Sequence, residues 1–188
     1  MANHSHYLLG MVLSFALLGC GKFGPPLPPE AFAPKAVENL ETSVQMEGVT
    51  LRWQSPSENR RGQELAAIDG YAVYRSLIDD FDSYIEDPFD ASEKLAFLPD
   101  THIAVRDELR DAAREKGLPT RKIKVDGTLR MFSYLDKDLE PGREYVYMIV
   151  PMNQDGEEGE VSQYIRILFR GDSSEVRIID QSTLVGEL

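Results

Sequence analysis

Apolar and polar residues alternate over several short stretches of the chain, and this period of two predicts β-strands. The stretches with this character span residues 48–54, 68–75, 145–151 and 164–169. In the first, Val49, Leu51 and Trp53 fall on one face. In the third, apolar residues occupy both faces, which is typical of a central strand covered on both sides. Short strands separated by turn residues indicate an all-β, antiparallel sandwich.

One long segment, residues 77–127, interrupts this pattern and contains a helix signal. Asp100 or Thr101 can cap the helix, and Gly117 can end it. The apolar stripe that we expect to pack on the sandwich consists of Val105, Leu109, Ala112 and Ala113.

The N-terminal apolar run, Tyr7 to Leu18, is too short to span a bilayer and long enough for a signal-peptide core. It leads directly into Leu17-Leu18-Gly19-Cys20, which resembles a bacterial lipobox. The resemblance implies a signal peptide over 1–19 and palmitate-type lipidation of Cys20. Because Gly21 follows the cysteine rather than Asp, it also implies an outer-membrane anchor on the periplasmic face of a Gram-negative host. The residues before this apolar run depart from the signal-peptide pattern, because they contain no Lys or Arg.

After Cys20, a proline-rich linker extends to residue 35. Proline fixes φ and removes a donor, so the linker favours polyproline II and predicts a stiff spacer. The run Cys20-Gly21-Lys22-Phe23-Gly24-Pro25-Pro26 is similar to the start of LptM-type lipoproteins. That similarity implies a different role, as an assembly factor of the lipopolysaccharide translocon.

The strands and turns together resemble a fibronectin type III domain. Residues 34–40, 49–53 and 68–75 look like its strands A, B and C, and Leu139 to Tyr145 (LEPGREY) resembles its turn into strand F. The resemblance implies a domain over 36–171 with the 77–127 segment as a helix-containing insertion between strands C and E. Residues 172–188 then form a tail, or supply an edge strand over 175–179. Three structural residues follow from it: Trp53 and Tyr71 in the core, and Tyr145 as the tyrosine-corner residue.

The net charge, the cysteine content and the absence of catalytic motifs narrow the range of functions that we expect. A net charge of -12 over 188 residues argues against nucleic acid as a partner. The single cysteine excludes an internal disulfide and a cysteine-based zinc site. No nucleophile elbow, zinc-protease or phosphate-loop motif occurs. We therefore expect no enzyme activity, no cofactor and no metal.

The insertion begins with an acidic stretch, residues 79–90, that is interrupted by Phe81, Tyr84 and Phe89. Its carboxylates are hard ligands of the kind that Ca²⁺ prefers, but the spacing lacks the glycine of an EF-hand, so a solvated loop is the better interpretation. The three aromatics form a candidate contact surface for a partner. The alternative is that this arm closes on the basic run Arg121 to Lys124.

Arg170-Gly171-Asp172-Ser173 contains the integrin tripeptide, which we interpret as a turn after the last strand.

The function that these observations favour is a membrane-anchored interaction or scaffold lipoprotein with an envelope protein as its partner. The alternative is a carbohydrate- or peptidoglycan-associated module, which would need an exposed aromatic platform.

Overall fold

The computed structural model describes residues 28–78, 92–153 and 156–180. The strands in these ranges are β1 (Glu38–Gln45), β2 (Gly48–Gln54), β3 (Gly70–Ile78), β4 (Glu93–Pro99), β5 (Met131–Asp136), β6 (Glu144–Met152), β7 (Tyr164–Leu168) and β8 (Glu175–Ile179). One α-helix, α1 (His102–Glu115), and 3-10 turns at Pro29–Phe32, Thr120–Lys122 and Gly127–Arg130 complete the described elements.

The strands form two antiparallel sheets, with the orders β1-β2-β5 and β4-β3-β6-β7-β8. With β1, β2 and β5 as strands A, B and E, and β3, β6 and β7 as strands C, F and G, this is the fibronectin type III arrangement. The predicted fold class, a fibronectin type III-like sandwich with a helix between strands C and E, is therefore confirmed. The fold adds one strand, β8, beyond strand G.

The main core lies between the two sheets. Trp53 is fully buried, with its ring edge-on to Tyr71 at 5.6 Å and stacked on Phe132 at 6.0 Å between ring centroids. Val49 and Leu51 face the same interior with no exposure. The face that the alternating pattern of residues 48–54 predicts is thus the face that packs.

Strand β6 lies in the middle of the larger sheet and is buried on both faces. Tyr145, Tyr147 and Ile149 point into the main core. Val146 and Met148 belong to a second apolar cluster, together with Ile78 on β3 and Tyr164 on β7. The apolar character of both faces in the sequence reflects these two separate cores.

The segment 77–127 is partly a structural member of the sandwich. Strand β3 continues past its boundary to Ile78, and β4 pairs along β3 from Gly70↔Pro99 to Arg75↔Glu93. The backbones approach so closely at Gly70 that a Cβ there would lie 2.2 Å from the Leu98 carbonyl oxygen. An insertion that supplies an edge strand cannot be a separate lobe.

The predicted helix is present, but its buried face agrees with the expected stripe of Val105, Leu109, Ala112 and Ala113 only at Ala113. His102, Ile103 and Ala113 are the buried residues, whereas Leu109 is 44% exposed. The end of the helix follows the prediction, because Gly117 adopts a positive φ of 66°. The amide of Leu118 then donates to the Ala113 carbonyl at 2.8 Å, as expected for a glycine-terminated helix.

The end of the proline-rich linker is docked on the domain. Ala33 is fully buried, and its carbonyl accepts a hydrogen bond from the Arg60 amide at 2.9 Å. The Lys35 amide donates to the Glu58 carbonyl at 3.0 Å. The four residues Pro29–Phe32 form a 3-10 turn rather than polyproline II. The folded unit therefore begins before the expected boundary at residue 36.

The chain beyond strand G also forms structure. β8 pairs with β7 from Leu168↔Glu175 to Tyr164↔Ile179, so the edge-strand alternative for this segment is correct. The Arg170-Gly171-Asp172 run lies in the turn between them, where Gly171 has a φ of 59°. This location agrees with the interpretation of the tripeptide as a turn.

Candidate functional site

A cleft of about 340 Å³ opens at the end of the sandwich where β2 ends and α1 begins. We call it the basic cleft. Its lining includes Leu65, His102, Arg106, Ile123, Lys124 and Arg130. Helix α1 contributes one wall, and the segment 123–130 contributes another. Both walls come from the insertion or from the residues that follow it, which are the parts where the chain departs from the fibronectin type III pattern.

Asp100 lies behind the lining and holds His102, which lines the cleft. Following β4 directly, it uses Oδ1 to accept hydrogen bonds from the His102 backbone amide at 2.8 Å and from the His102 Nδ1 at 2.7 Å. The expected helix cap is therefore Asp100, because Thr101 makes no side-chain cap bond. The carboxylate stabilises the first amide of the helix and fixes the imidazole at the same time.

The other oxygen of Asp100 ties both sheets together. Its Oδ2 accepts from the Tyr71 hydroxyl at 2.6 Å and from the Ser55 hydroxyl at 3.0 Å. Burial alone would raise the pKa of Asp100, but the hydrogen bonds from His102 and Tyr71 outweigh it, so the pKa lies below its usual range. The pKa of Tyr71 is raised, first by burial and then by the adjacent carboxylate.

Ser55, His102 and Asp100 have the composition of a hydrolase triad but not its geometry. In a triad the imidazole bridges the acid and the serine with opposite nitrogens. Here Ser55 Oγ and Asp100 Oδ1 both lie at Nδ1 of His102, at 3.3 and 2.7 Å. Ser55 is fully buried, and its hydroxyl donates a hydrogen bond to Asp100 Oδ2. The cluster is consequently a structural network with no activated nucleophile.

Arg106 is held at the cleft by its neighbours. Its Nη1 donates to Glu64 Oε1 and to the Leu65 carbonyl, both at 3.0 Å, and its Nε donates to Asp107 Oδ1 at 2.9 Å. The side chain is only 14% exposed. Its charge is therefore already compensated by carboxylates of the chain.

Arg130 enters the cleft from a short turn that Asp126 initiates. Asp126 Oδ1 accepts from the amide and the hydroxyl of Thr128, both at 2.9 Å, and these bonds lower the pKa of Asp126. The turn delivers Arg130, whose Nη2 donates to the Ser55 carbonyl at 2.5 Å. Its Nε is buried and has no hydrogen-bond partner among the described residues.

Lys124 completes the cationic lining. It is exposed at the mouth of the cleft and makes no hydrogen bond or ion pair with any residue of the described ranges. The basic run that the sequence singled out, Arg121 to Lys124, thus reaches this cleft through Ile123 and Lys124.

The residues expected from the sequence fall into two groups. Trp53 and Tyr71 are buried in the main core, as described above. Tyr145 is also buried, and its hydroxyl accepts from the Glu140 amide at 2.9 Å, which is the geometry of a tyrosine corner. Cys20 and the candidate contact surface of Phe81, Tyr84 and Phe89 lie outside the described residues.

Arg130 and the Asp100 network were not anticipated as a site. The Asp-x-His pattern at residues 100–102 is the one local signal, since a short side chain two residues before an amide often caps a helix. Among the described residues, no group of three or more His, Cys, Asp or Glu side chains is arranged to hold a metal. No helix in the described ranges is long and apolar enough to cross a membrane.

Neither a protein-family model nor a curated protein matches the chain. Solved structures similar to it include a myokine, at 15% identity and a TM-score of 0.36, over 74% of this chain and 98% of that one. The third fibronectin III domain of the human KIAA0343 protein matches at 15% identity and a TM-score of 0.38, over 80% and 93%. The family 28 exopolygalacturonase of Yersinia enterocolitica matches at 14% identity and 0.38, over 73% and 20%. The fibronectin type III-like description follows from the chain's own strand order.

Proposed function

We propose that this chain is a non-enzymatic binding module of the bacterial cell envelope, anchored to the outer membrane through lipidated Cys20. In this proposal the basic cleft binds a segment of an envelope protein. The observation that carries it is the placement of Lys124 and Arg130 in the lining, where Glu64 already compensates Arg106, in a chain whose net charge is -12. A local concentration of one charge sign against the overall charge favours a complementary partner.

The position of the cleft supports the proposal. Loops at the end of a rigid sandwich carry binding function more often than strands do. Two of the elements that line the cleft are fixed by aspartates: the start of α1 by Asp100, and the turn Gly127–Arg130 by Asp126. Both elements are therefore pre-organised, so little ordering would be required when a partner binds.

The carbohydrate-binding alternative needs an open aromatic platform. The exposed aromatic side chains of the described ranges are Phe32 and Phe97. Arg61 lies over the first ring at 5.7 Å, and Lys94 over the second at 5.2 Å from the centroid. A cation over the face of each ring competes with the stacking of a sugar, so these residues favour the protein-binding proposal.

Site-specific photocrosslinking in cells tests the binding role. A photoreactive phenylalanine analogue replaces Val125, which lines the cleft, and in a matched strain it replaces Leu135, which is 42% exposed at the opposite end of the sandwich. We expect a discrete crosslinked protein from position 125 and none from position 135. Equal products from both positions, or none from position 125, would contradict the proposal. Retention of the chain on isolated cell-wall sacculi would favour the alternative function.

The anchor is tested separately. Cys20→Ser should abolish incorporation of radiolabelled palmitate and leave an unprocessed precursor, because the lipid-accepting thiol is lost. Equal labelling of the variant and the wild type would show that the anchor assignment is wrong.

A further inference from the structure

The charges of the basic cleft are unequally compensated, and this inequality points to the chemistry of the ligand. Arg106 is saturated by Glu64, Asp107 and a backbone carbonyl. Arg130 has a more distant carboxylate, with Glu38 Oε2 at 3.6 Å from its Nη2. Lys124 has no carboxylate partner in the described part of the chain. The cleft therefore keeps about one uncompensated positive charge.

Arg130 also has unused hydrogen-bonding capacity. Both of its recorded contacts, to Ser55 and Glu38, are made by Nη2. Its Nη1 makes no hydrogen bond or ion pair with any residue of the described ranges. A guanidinium presents its N–H groups in a planar fork that matches a carboxylate, so Nη1 can donate to a ligand while Nη2 stays bonded to Ser55.

The remaining lining is apolar next to these cations. Leu65, Ile123 and Val125 belong to the same cleft as Lys124 and Arg130. A ligand that fits this lining has a negatively charged group close to an apolar side chain. One surplus positive charge suits a monoanion better than a dianionic phosphate.

We propose that the basic cleft recognises a single carboxylate on an apolar peptide segment, with Arg130 and Lys124 as the recognising cations. This inference rests on the proposed function, because it names the ligand chemistry of the same cleft. The segment is the C-terminus of a protein partner whose last residue is apolar, because its carboxylate and its side chain are then adjacent, as Arg130, Lys124 and the apolar lining are.

The test uses the purified full chain in detergent and two matched probes, N-acetyl-leucine and its neutral amide, N-acetyl-leucinamide. The readout is the ¹H–¹⁵N signal of Arg130 Nε–H, assigned by its loss in Arg130→Lys. We expect N-acetyl-leucine to shift this signal saturably and the amide to leave it in place. Inorganic phosphate, titrated in parallel, should bind more weakly than the carboxylate.

Variants separate the recognising cations from general electrostatics. Lys124→Gln should weaken N-acetyl-leucine binding by about fivefold, because an exposed charge contributes modestly. Arg130→Lys lacks the Nε–H reporter, so its binding is followed through the backbone amide signal of Val125, which lines the cleft. This variant should weaken binding by about tenfold or more, because the fork geometry is lost. Lys137→Gln, which removes an exposed lysine at the opposite end of the sandwich, is the control and should change nothing. Unchanged affinity in Lys124→Gln, equal binding of the amide, or tighter binding of phosphate would overturn the proposal.

The crosslinking experiment distinguishes this inference from the proposed function. A partner that crosslinks at position 125 equally well with and without Lys124→Gln would retain the binding role and refute carboxylate recognition. N-acetyl-leucine binding without any crosslink at position 125 would retain carboxylate recognition and contradict the proposed binding of an envelope protein. Far-UV circular dichroism of each variant confirms that it is folded, and exposed Lys124 can be removed without disturbing the core.

Discussion

Strand β3 contributes one residue to each of two buried tyrosine–aspartate networks, Tyr71 to one and Arg75 to the other, and the two networks differ in the group that balances the carboxylate. Near the cleft, the Tyr71 hydroxyl donates to Asp100 at 2.6 Å, and His102 lies against the other oxygen. At the opposite end, the Tyr147 hydroxyl donates to Asp136 at 2.8 Å, and Arg75 Nη1 donates to the same oxygen at 2.9 Å.

The difference lies in the kind of partner that each carboxylate has. Arg75 is a permanent cation, because an arginine stays charged at every pH at which proteins fold. Burial would lower the pKa of Arg75, but Asp136 outweighs this effect and raises it. The Asp136 end is thus a fixed brace between the sheets. The Asp100 carboxylate instead accepts hydrogen bonds from the Tyr71 and Ser55 hydroxyls and holds His102, which lines the basic cleft.

The largest expected effect is at the fixed brace. Asp136→Ala should lower the free energy of unfolding by about 3–5 kcal/mol, because it leaves Arg75 partly buried without its carboxylate. The Arg75 side chain is 12% exposed and that of Asp136 is 4% exposed. Urea denaturation measures the change.

Glu93→Ala is the matched control for Asp136→Ala. Glu93 also contacts Arg75, at 3.2 Å, but its side chain is 70% exposed. The loss should stay below about 1 kcal/mol. Equal losses in the two variants would show that burial does not distinguish the two partners of Arg75.

The next largest loss of stability is expected when the hydroxyl of Tyr71 or of Tyr147 is removed. Tyr71→Phe and Tyr147→Phe each remove one hydrogen bond to a buried carboxylate, and each should cost about 1.5–3 kcal/mol. The pKa values of both tyrosines are raised, first by burial and then by the adjacent aspartate. Since the folded pKa exceeds the unfolded one, the contribution of each tyrosine to stability should be constant below about pH 10 and fall at higher pH. A variant whose alkaline loss equals that of the wild type would contradict the assignment for that tyrosine.

Acid titration tests the Asp100 end. The folded pKa of Asp100 is lowered, so its contribution is complete above the unfolded value of 3.8 and is lost as the pH falls through the folded value. Asp100→Asn should cost about 1–2 kcal/mol at pH 7 and make the variant less sensitive to acid than the wild type. Thermal unfolding from pH 7 to pH 2 checks this, and parallel acid profiles for the two proteins would refute it.

The smallest effect is expected at the tyrosine corner. Tyr145→Phe removes a hydrogen bond from the Glu140 amide to a neutral hydroxyl and should cost about 1 kcal/mol. The Arg75 guanidinium lies 5.5 Å from the ring centroid, and that contact remains in the variant. A loss as large as that of Tyr147→Phe would mean that the corner bond is as strong as a bond to a charged group.

Helix α1 shows what a local pattern cannot determine. Its existence and its end at Gly117 are encoded by neighbouring residues, and both were predictable. Its buried face depends on contacts with a segment that is distant in sequence. Arg106 on the helix bonds to Glu64 and to the Leu65 carbonyl, which lie in the loop before β3. The side of α1 that carries Leu109 is left exposed, although the apolar stripe favoured it.

The sequence alone determined the sandwich, since a period of two and the turn residues place Trp53 in the core and leave β6 apolar on both faces. It also determined the turn into strand F, because Tyr145 and the Glu140 amide that donates to its hydroxyl are five residues apart. The basic cleft was decided only by the tertiary structure. Ser55, Asp100 and Arg130 are distant in sequence, and chain topology rather than any local propensity brings their polar atoms within hydrogen-bond distance. Buried polar groups must find partners wherever the fold places them, so such a site becomes visible only after the sheets have packed.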